Sequence, residues 1–122
     1  MKTFQQFFEA QERQIAYHVT FRHLLPKIKR EGLTPHKPED VEDDPNDPEG
    51  VYLFPTKEDL VHALQNWLGE RTDEMEEKAG FKFEDLMLTV DITGLRCSST
   101  VEWEVVCLDV IPPNRILKVE KA

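Results

Sequence analysis

The chain has 122 residues, and its 24 acidic against 15 basic side chains give a formal net charge of −9. This length, with 39% hydrophobic residues, predicts one domain over residues 1–122. The charge argues against a basic nucleic-acid-binding module, and no apolar stretch approaches the roughly 20 residues that a membrane-spanning helix requires.

The N-terminal segment carries signals for a helix and then a strand. Three phenylalanines spaced i, i+3 and i+4 predict a short amphipathic helix over 4–12. Residues 14–20 alternate between apolar and polar side chains, which predicts a strand. If Tyr17 faces the core, His18 and Thr20 face the other way, toward solvent or a cleft.

A second helix and a long loop follow. We expect a turn over 21–24 and a helix that begins near Pro26 and ends at Gly32, because proline favours the first helical position and glycine the position after the last. Residues 33–49 are predicted to be a loop, since four prolines interrupt them. The part over 39–49 holds seven acids and no base, which indicates an exposed segment. Such a loop is either functional or a solubilising insertion.

The middle of the chain contains the clearest helix signal. The letters VYLFP predict a short strand in which Tyr52 faces away from its apolar neighbours. Thr56 is a predicted N-cap, with Asp59 three residues later as an acidic variant of the capping box. An apolar stripe then predicts one helix over 57–69. The acid-rich stretch 70–85 is predicted to be exposed, and its composition is compatible with a polar helical turn.

The C-terminal third is predicted to be mostly strands. Residues 86–92 alternate and predict a strand, 93–100 a loop, 101–110 the longest strand, and 116–119 a short final strand. Helices that alternate with strands and are followed by a run of strands are typical of the α+β class.

Two carboxylates stand out in the predicted strand over 101–110. Glu102 and Glu104 fall on one face and flank Trp103, which is predicted to point inward. Carboxylates on one strand face within about 7 Å raise each other's pKa, so they are solvated or used in chemistry. An ordinary polar strand face is the structural alternative.

The cysteines and histidines predict neither a disulfide framework nor a metal site. Cys97 and Cys107 are too few to form a disulfide framework, and they have no CxxC spacing or neighbouring histidine. The N-terminus lacks the apolar core of a signal peptide. We therefore expect a cytoplasmic protein without a bound metal, and nothing in the sequence demands more than a monomer.

Several motifs, taken together, resemble a known enzyme family. They are YHVTFRHLLPKIKREGLTP, GVYLFPTKEDL, VDITGL and VEWEVVCLDVIPPNRI, and they cover most of the chain. In this order they are similar to the ADP-ribosyltransferase superfamily, in particular to small bacterial and phage members of its His-Tyr-Glu branch. The resemblance implies a split, mixed β core with short flanking helices, which grips NAD as a substrate.

The resemblance also implies roles for individual residues. His18 would bind a hydroxyl of the nicotinamide ribose, Tyr52 would stack on the nicotinamide ring, and Glu104 would be the catalytic glutamate. A carboxylate at that place favours the positive charge that develops as a glycosidic bond breaks. Glu102 is the alternative to Glu104 as the catalytic glutamate. If Glu104 has that role, Glu102 would activate the acceptor.

Further cofactor-binding positions follow from the same alignment of motifs. Thr20 would lie near the nicotinamide amide, and Val19 stands where the family often has glycine. Arg22 is the best-placed positive charge for the pyrophosphate, while 33–49 occupies the place of the loop that closes over NAD. The acceptor, a protein or a nucleic acid, is not identified by the sequence.

Two other functions stay open at this point. RNA 2′-phosphotransferases share the fold, and the dipeptide Arg22–His23 is similar to one of their phosphate-binding pairs. The other alternative is a non-catalytic interaction module on the same fold, with the acidic residues 39–49 as its binding surface for a basic partner.

Overall fold

A computed structural model describes residues 13–35 and 49–122. The helix predicted over 4–12, and the predicted loop from residue 36 to residue 48, lie outside these residues. The described chain forms six strands, three α-helices and two short 3-10 turns, which confirms the α+β class. In chain order these are β1 (Ile15–Phe21), α1 (Leu25–Glu31), β2 (Val51–Leu53), α2 (Lys57–Leu64), α3 (Trp67–Ala79), β3 (Asp85–Asp91), β4 (Cys97–Val101), β5 (Glu104–Cys107) and β6 (Ile116–Lys121).

The strands are arranged in two three-stranded sheets. In the first sheet β3 lies between β1 and β6, and in the second β5 lies between β2 and β4. All four pairings are antiparallel in the part of the chain that the structure describes. The mixed sheet that we expected is therefore not found there. The final strand is longer than predicted, because β6 follows β3 almost to the end of the chain.

The end of β2 reaches β1 through an isolated pair of backbone hydrogen bonds. The Tyr17 N–H donates to the Phe54 carbonyl at 2.8 Å, and the Phe54 N–H donates to the Tyr17 carbonyl at 2.7 Å. The ladder does not continue on either side of this bridge. The two sheets therefore meet at one point and separate beyond it.

Two hydrophobic clusters cover both faces of β1. The main cluster draws buried side chains from both sheets and from α1, including Ala16 of β1. A second cluster packs α2 against Phe54 and Met87, with Tyr17 and Val19 at its margin. The expectation that the face of β1 opposite Tyr17 is open was therefore wrong at Thr20, whose side chain is 4% exposed.

The prediction for the segment after β1 is confirmed. A 3-10 turn covers Arg22–Leu24, and α1 covers Leu25–Glu31. Gly32 ends the helix with a positive φ of 79°. A Cβ atom at Gly32 would collide with the carbonyl oxygen of Ile111, whose backbone pairs with Leu33. Glycine is thus required here both for its backbone conformation and for the close approach.

The single helix predicted over 57–69 is divided in two. The Thr56 cap is confirmed, since its hydroxyl accepts the Asp59 N–H at 3.0 Å. However, α2 ends at Leu64, and Asn66 leaves the helical conformation with φ −130° and ψ −118° before α3 begins. The acidic stretch, for which we considered a polar helical turn, is mostly part of α3, which has 13 residues. No helix in the described ranges is long and apolar enough to cross a membrane.

The long strand predicted over 101–110 is instead the second half of a hairpin. β4 begins within the predicted loop over 93–100, and the chain turns at Glu102 and Trp103 before β5. Trp103 is 44% exposed, so the prediction that it points inward was wrong. Glu102 and Glu104 also do not share a strand face, because Glu102 lies in the turn.

A disulfide joins the two strands of this hairpin. Cys97 and Cys107 are directly opposite each other, with their Cα atoms 4.0 Å apart, and their sulfurs are bonded. The sequence analysis predicted no disulfide framework, and it did not anticipate this single bond. Spacing along the chain gave no sign of the pair, because the turn that brings them together lacks the usual glycine or asparagine.

Candidate functional site

The side chain of His18 contacts the backbone of Tyr52. The Nδ1 atom lies 2.9 Å from the Tyr52 carbonyl oxygen, and both residues are half-buried. A carbonyl oxygen only accepts, so Nδ1 carries the proton in this contact. In the neutral ring Nε2 is then an acceptor, which suits it to a hydroxyl donor such as a sugar OH.

This contact lies where the two sheets separate. Two residues beyond the Tyr17–Phe54 bridge, an antiparallel ladder would next pair Val19 with Tyr52. Instead, the imidazole of His18 binds the Tyr52 carbonyl. The histidine side chain therefore takes the place of a backbone donor at the mouth of the split.

Glu104 lies on the strand next to Tyr52. In the β2–β5 register, Tyr52 is opposite Val106 and Leu53 is opposite Val105. Because side chains alternate, Glu104 and Val106 share a face with Tyr52, and Glu104 is its diagonal neighbour. Such neighbours lie about 7–8 Å apart, within reach of a tyrosine ring and a long side chain. As predicted, Tyr52 points away from the buried side chains of Val51 and Leu53.

The remaining predicted site residues are less well placed to contact NAD. Val19 packs against the second cluster, and Thr20 is buried. Glu102 is exposed at the hairpin turn. The Arg22 guanidinium lies 3.0 Å from a carboxylate oxygen of Glu84, and its hydrogen bond holds the pKa of Glu84 below the ordinary value. A pyrophosphate would have to compete with Glu84 for this charge.

The second half of the Arg22–His23 pair is also engaged. The His23 ring lies 5.1 Å from that of Phe81 and 4.7 Å from that of Phe83, between centroids. Phe21 completes this aromatic group. Arg22 and His23 are both exposed, but a phosphate would have to compete with Glu84 for Arg22.

Sequence reasoning missed an aromatic group beside the site. Trp103 lies in the hairpin turn, with its ring centroid 6.0 Å from that of Trp67, and the Trp67 centroid lies 6.4 Å from that of Phe54. The Arg71 guanidinium lies over the Trp67 ring at 4.9 Å. Trp67 and Arg71 are one helical turn apart on α3, whereas Phe54 and Trp103 come from two other parts of the chain, so only the tertiary fold brings the three rings together. Within residues 13–35 and 49–122, no three His, Cys, Asp or Glu residues are placed to hold a metal ion.

Comparisons with known proteins assign no family. The chain matches no known protein-family model. A search of curated proteins also gave no significant match. The ADP-ribosyltransferase resemblance therefore rests on the motifs quoted above.

A carboxyl away from the split has the opposite electrostatic environment to Glu84. Burial and the nearby carboxylates of Glu76 and Asp73 raise the pKa of Asp85 above 3.8. One Asp85 carboxylate oxygen is buried without a hydrogen-bond partner among the described residues. Because the folded state binds this proton more tightly, ionised Asp85 reduces stability at pH 7, and acidification through the raised pKa relieves that loss.

We therefore expect Asp85→Asn to stabilise the protein at pH 7 by about 0.5 kcal/mol, the size of a like-charge contact. The gain should vanish below pH 3.8, where the carboxyl is protonated in both states. Urea unfolding at several pH values measures it.

Asp109 provides the matched control, because its pKa is shifted in the opposite direction to that of Asp85. Its carboxylate accepts the backbone N–H and the Nε–H of Arg96, both at 2.8 Å, and these bonds lower its pKa. Asp109→Asn should therefore destabilise at pH 7, and the difference should shrink as the pH falls below the ordinary value of 3.8. A change of the same sign in the free energy of unfolding of both variants at pH 7 would contradict this electrostatic account.

Proposed function

We propose that this protein is an NAD-dependent ADP-ribosyltransferase, which cleaves the bond between nicotinamide and ribose and transfers ADP-ribose to an acceptor. The observation that carries the proposal is the contact of the His18 imidazole with the Tyr52 carbonyl oxygen, together with the position of Glu104 diagonally opposite Tyr52 on the neighbouring strand. The three residues lie on β1, β2 and β5, around the point where the sheets separate. The same three residues occupy the family positions in the sequence motifs.

Each residue has a chemical task in this proposal. The Tyr52 ring stacks on nicotinamide, and Nε2 of His18 accepts a hydrogen bond from a ribose hydroxyl. As the carbon–nitrogen bond breaks, its electron pair leaves with nicotinamide and positive charge develops on the ribose. The Glu104 carboxylate stabilises that charge more than it stabilises the ground state. The acceptor then forms the new bond and loses a proton, for which Glu102 is the candidate base.

The first test is binding and turnover of NAD by the full chain. A ligand with a Kd of about 10 µM at about 1 mM stabilises the folded state by about 2.7 kcal/mol, so NAD should raise the Tm by several degrees. Release of nicotinamide, measured by liquid chromatography, should follow when cell protein or nucleic acid is added. Tyr52→Ala should abolish the Tm shift, whereas Phe81→Ala, an exposed ring outside the site, should retain it.

The outcomes separate the alternatives. Nicotinamide release that requires a 2′-phosphorylated RNA would identify an RNA 2′-phosphotransferase instead. No Tm shift and no release with any acceptor would overturn the enzymatic proposal and favour the non-catalytic module. Exchange of the acids over 39–49 for lysines would then abolish partner binding. Binding of the partner by the parent protein would weaken steeply with salt.

The cytoplasmic location stays a prediction, and one finding weighs against it. Cytosolic reductants keep most thiols reduced, whereas Cys97 and Cys107 form a disulfide. Alkylation of the thiols in freshly lysed cells, followed by mass spectrometry, would show which form the cell maintains.

A further inference from the structure

The two tryptophans form an exposed aromatic surface at the tip of the β4–β5 hairpin. Trp103 is 44% exposed and Trp67 is 37% exposed, with their ring centroids 6.0 Å apart. Beneath them Phe54 is buried in the second cluster. This surface, which we call the indole surface, thus has a buried base and two partly exposed rings.

The turn itself does not call for a tryptophan at position 103, although the ring packs against Trp67. Tight two-residue hairpin turns favour asparagine, aspartate or glycine, which adopt the required backbone conformations. A tryptophan there contributes nothing to the turn and leaves much of a large apolar ring in water. Exposed tryptophans in clusters are typical of binding hot spots.

The charges around the indole surface define the partner that it fits. Glu102 precedes Trp103 and is exposed, and Glu70 lies one helical turn after Trp67 on the same face of α3. The Arg71 guanidinium already lies 4.9 Å from the centre of the Trp67 ring. The surface therefore combines indole faces, which bind cations, with carboxylates that repel a polyanion.

We propose that the indole surface binds an arginine-containing basic segment of a protein partner. A guanidinium stacks on Trp103, as Arg71 does on Trp67, and Glu102 and Glu70 balance its charge. Arginine fits better than lysine, because its planar group stacks on aromatic rings. The proposal does not require NAD chemistry, although it would place the partner beside Glu104, the residue after Trp103.

The test uses the full chain and labelled probes in fluorescence anisotropy. The probes are a nine-residue peptide with alternating arginine and serine, its lysine and glutamate analogues, and a 12-nucleotide oligothymidylate. We expect the arginine peptide to bind most tightly and to weaken at high salt. Trp103→Ala should reduce its affinity about tenfold, while Trp103→Phe should lose less.

Matched charge reversals separate this surface from general attraction to an acidic protein. Glu70→Lys should weaken binding of the arginine peptide, whereas Glu31→Lys, an exposed site at the end of α1, should not. Equal affinity for the parent, Trp103→Ala and Glu70→Lys would overturn the proposal, and so would tighter binding of the oligothymidylate. Unchanged circular dichroism in each variant shows that a loss of binding is not a loss of fold.

Discussion

Replacement of Glu104 by glutamine is expected to slow the release of nicotinamide from NAD by about 100-fold or more. The amide has the shape of the carboxylate and keeps one hydrogen-bond acceptor, so binding of NAD should change little. It lacks the negative charge that the proposed mechanism sets against the positive ribose. The measurement is single-turnover nicotinamide release, with the NAD-dependent Tm shift recorded in parallel.

Two further variants make this result specific. Glu77→Gln changes an exposed carboxylate on α3 and should leave release unaffected. Glu102→Gln tests the alternative assignment. Since Glu102 lies in the turn while Glu104 lies on the strand beside Tyr52, the loss at Glu102 should be smaller. A greater loss at Glu102 than at Glu104 would reverse the two roles.

Loss of the Cys97–Cys107 disulfide is expected to lower the free energy of unfolding by about 2–3 kcal/mol. The bond closes a loop with a sequence separation of 10, which restricts the unfolded chain. Urea unfolding with and without dithiothreitol measures the difference.

The double variant Cys97→Ala/Cys107→Ala serves as the control for the reductant. Dithiothreitol should not change the urea midpoint of this variant. The variant also loses some packing relative to the parent, because Cys107 is fully buried in the main cluster. Identical urea midpoints for the oxidised and reduced parent protein would show that the bond does not contribute to stability.

Local signals account for the parts of the fold that sequence reasoning predicted correctly. The start of α1 near Pro26 and its end at Gly32 depend on the backbone preferences of those two residues. The cap at Thr56 depends in the same local way on the threonine hydroxyl. The break at Asn66 was missed because the apolar stripe continues through it. Periodicity reports which side chains face the core and does not report whether the backbone between them stays helical.

Long-range pairing explains what was missed in the candidate site. The contact between His18 and Tyr52 spans 34 residues and depends on the bridge beside it, so no local pattern predicts it. The hairpin was missed for a related reason. Val101 to Val106 alternate as one strand would, and the turn residues Glu102 and Trp103 carry no turn signal.

The meeting point of the two sheets gives α2 a mechanical role. Two hydrogen bonds at Tyr17 and Phe54 link the backbones of the two sheets, and the main cluster packs side chains from both. Leu60 of α2 also packs in one cluster with Phe54, which follows β2, and with Met87 of β3, so α2 contacts residues from both sheets. We therefore expect the volume of the buried side chains on α2 to influence the spacing of His18 from Glu104, although no residue of α2 is assigned a part in the chemistry.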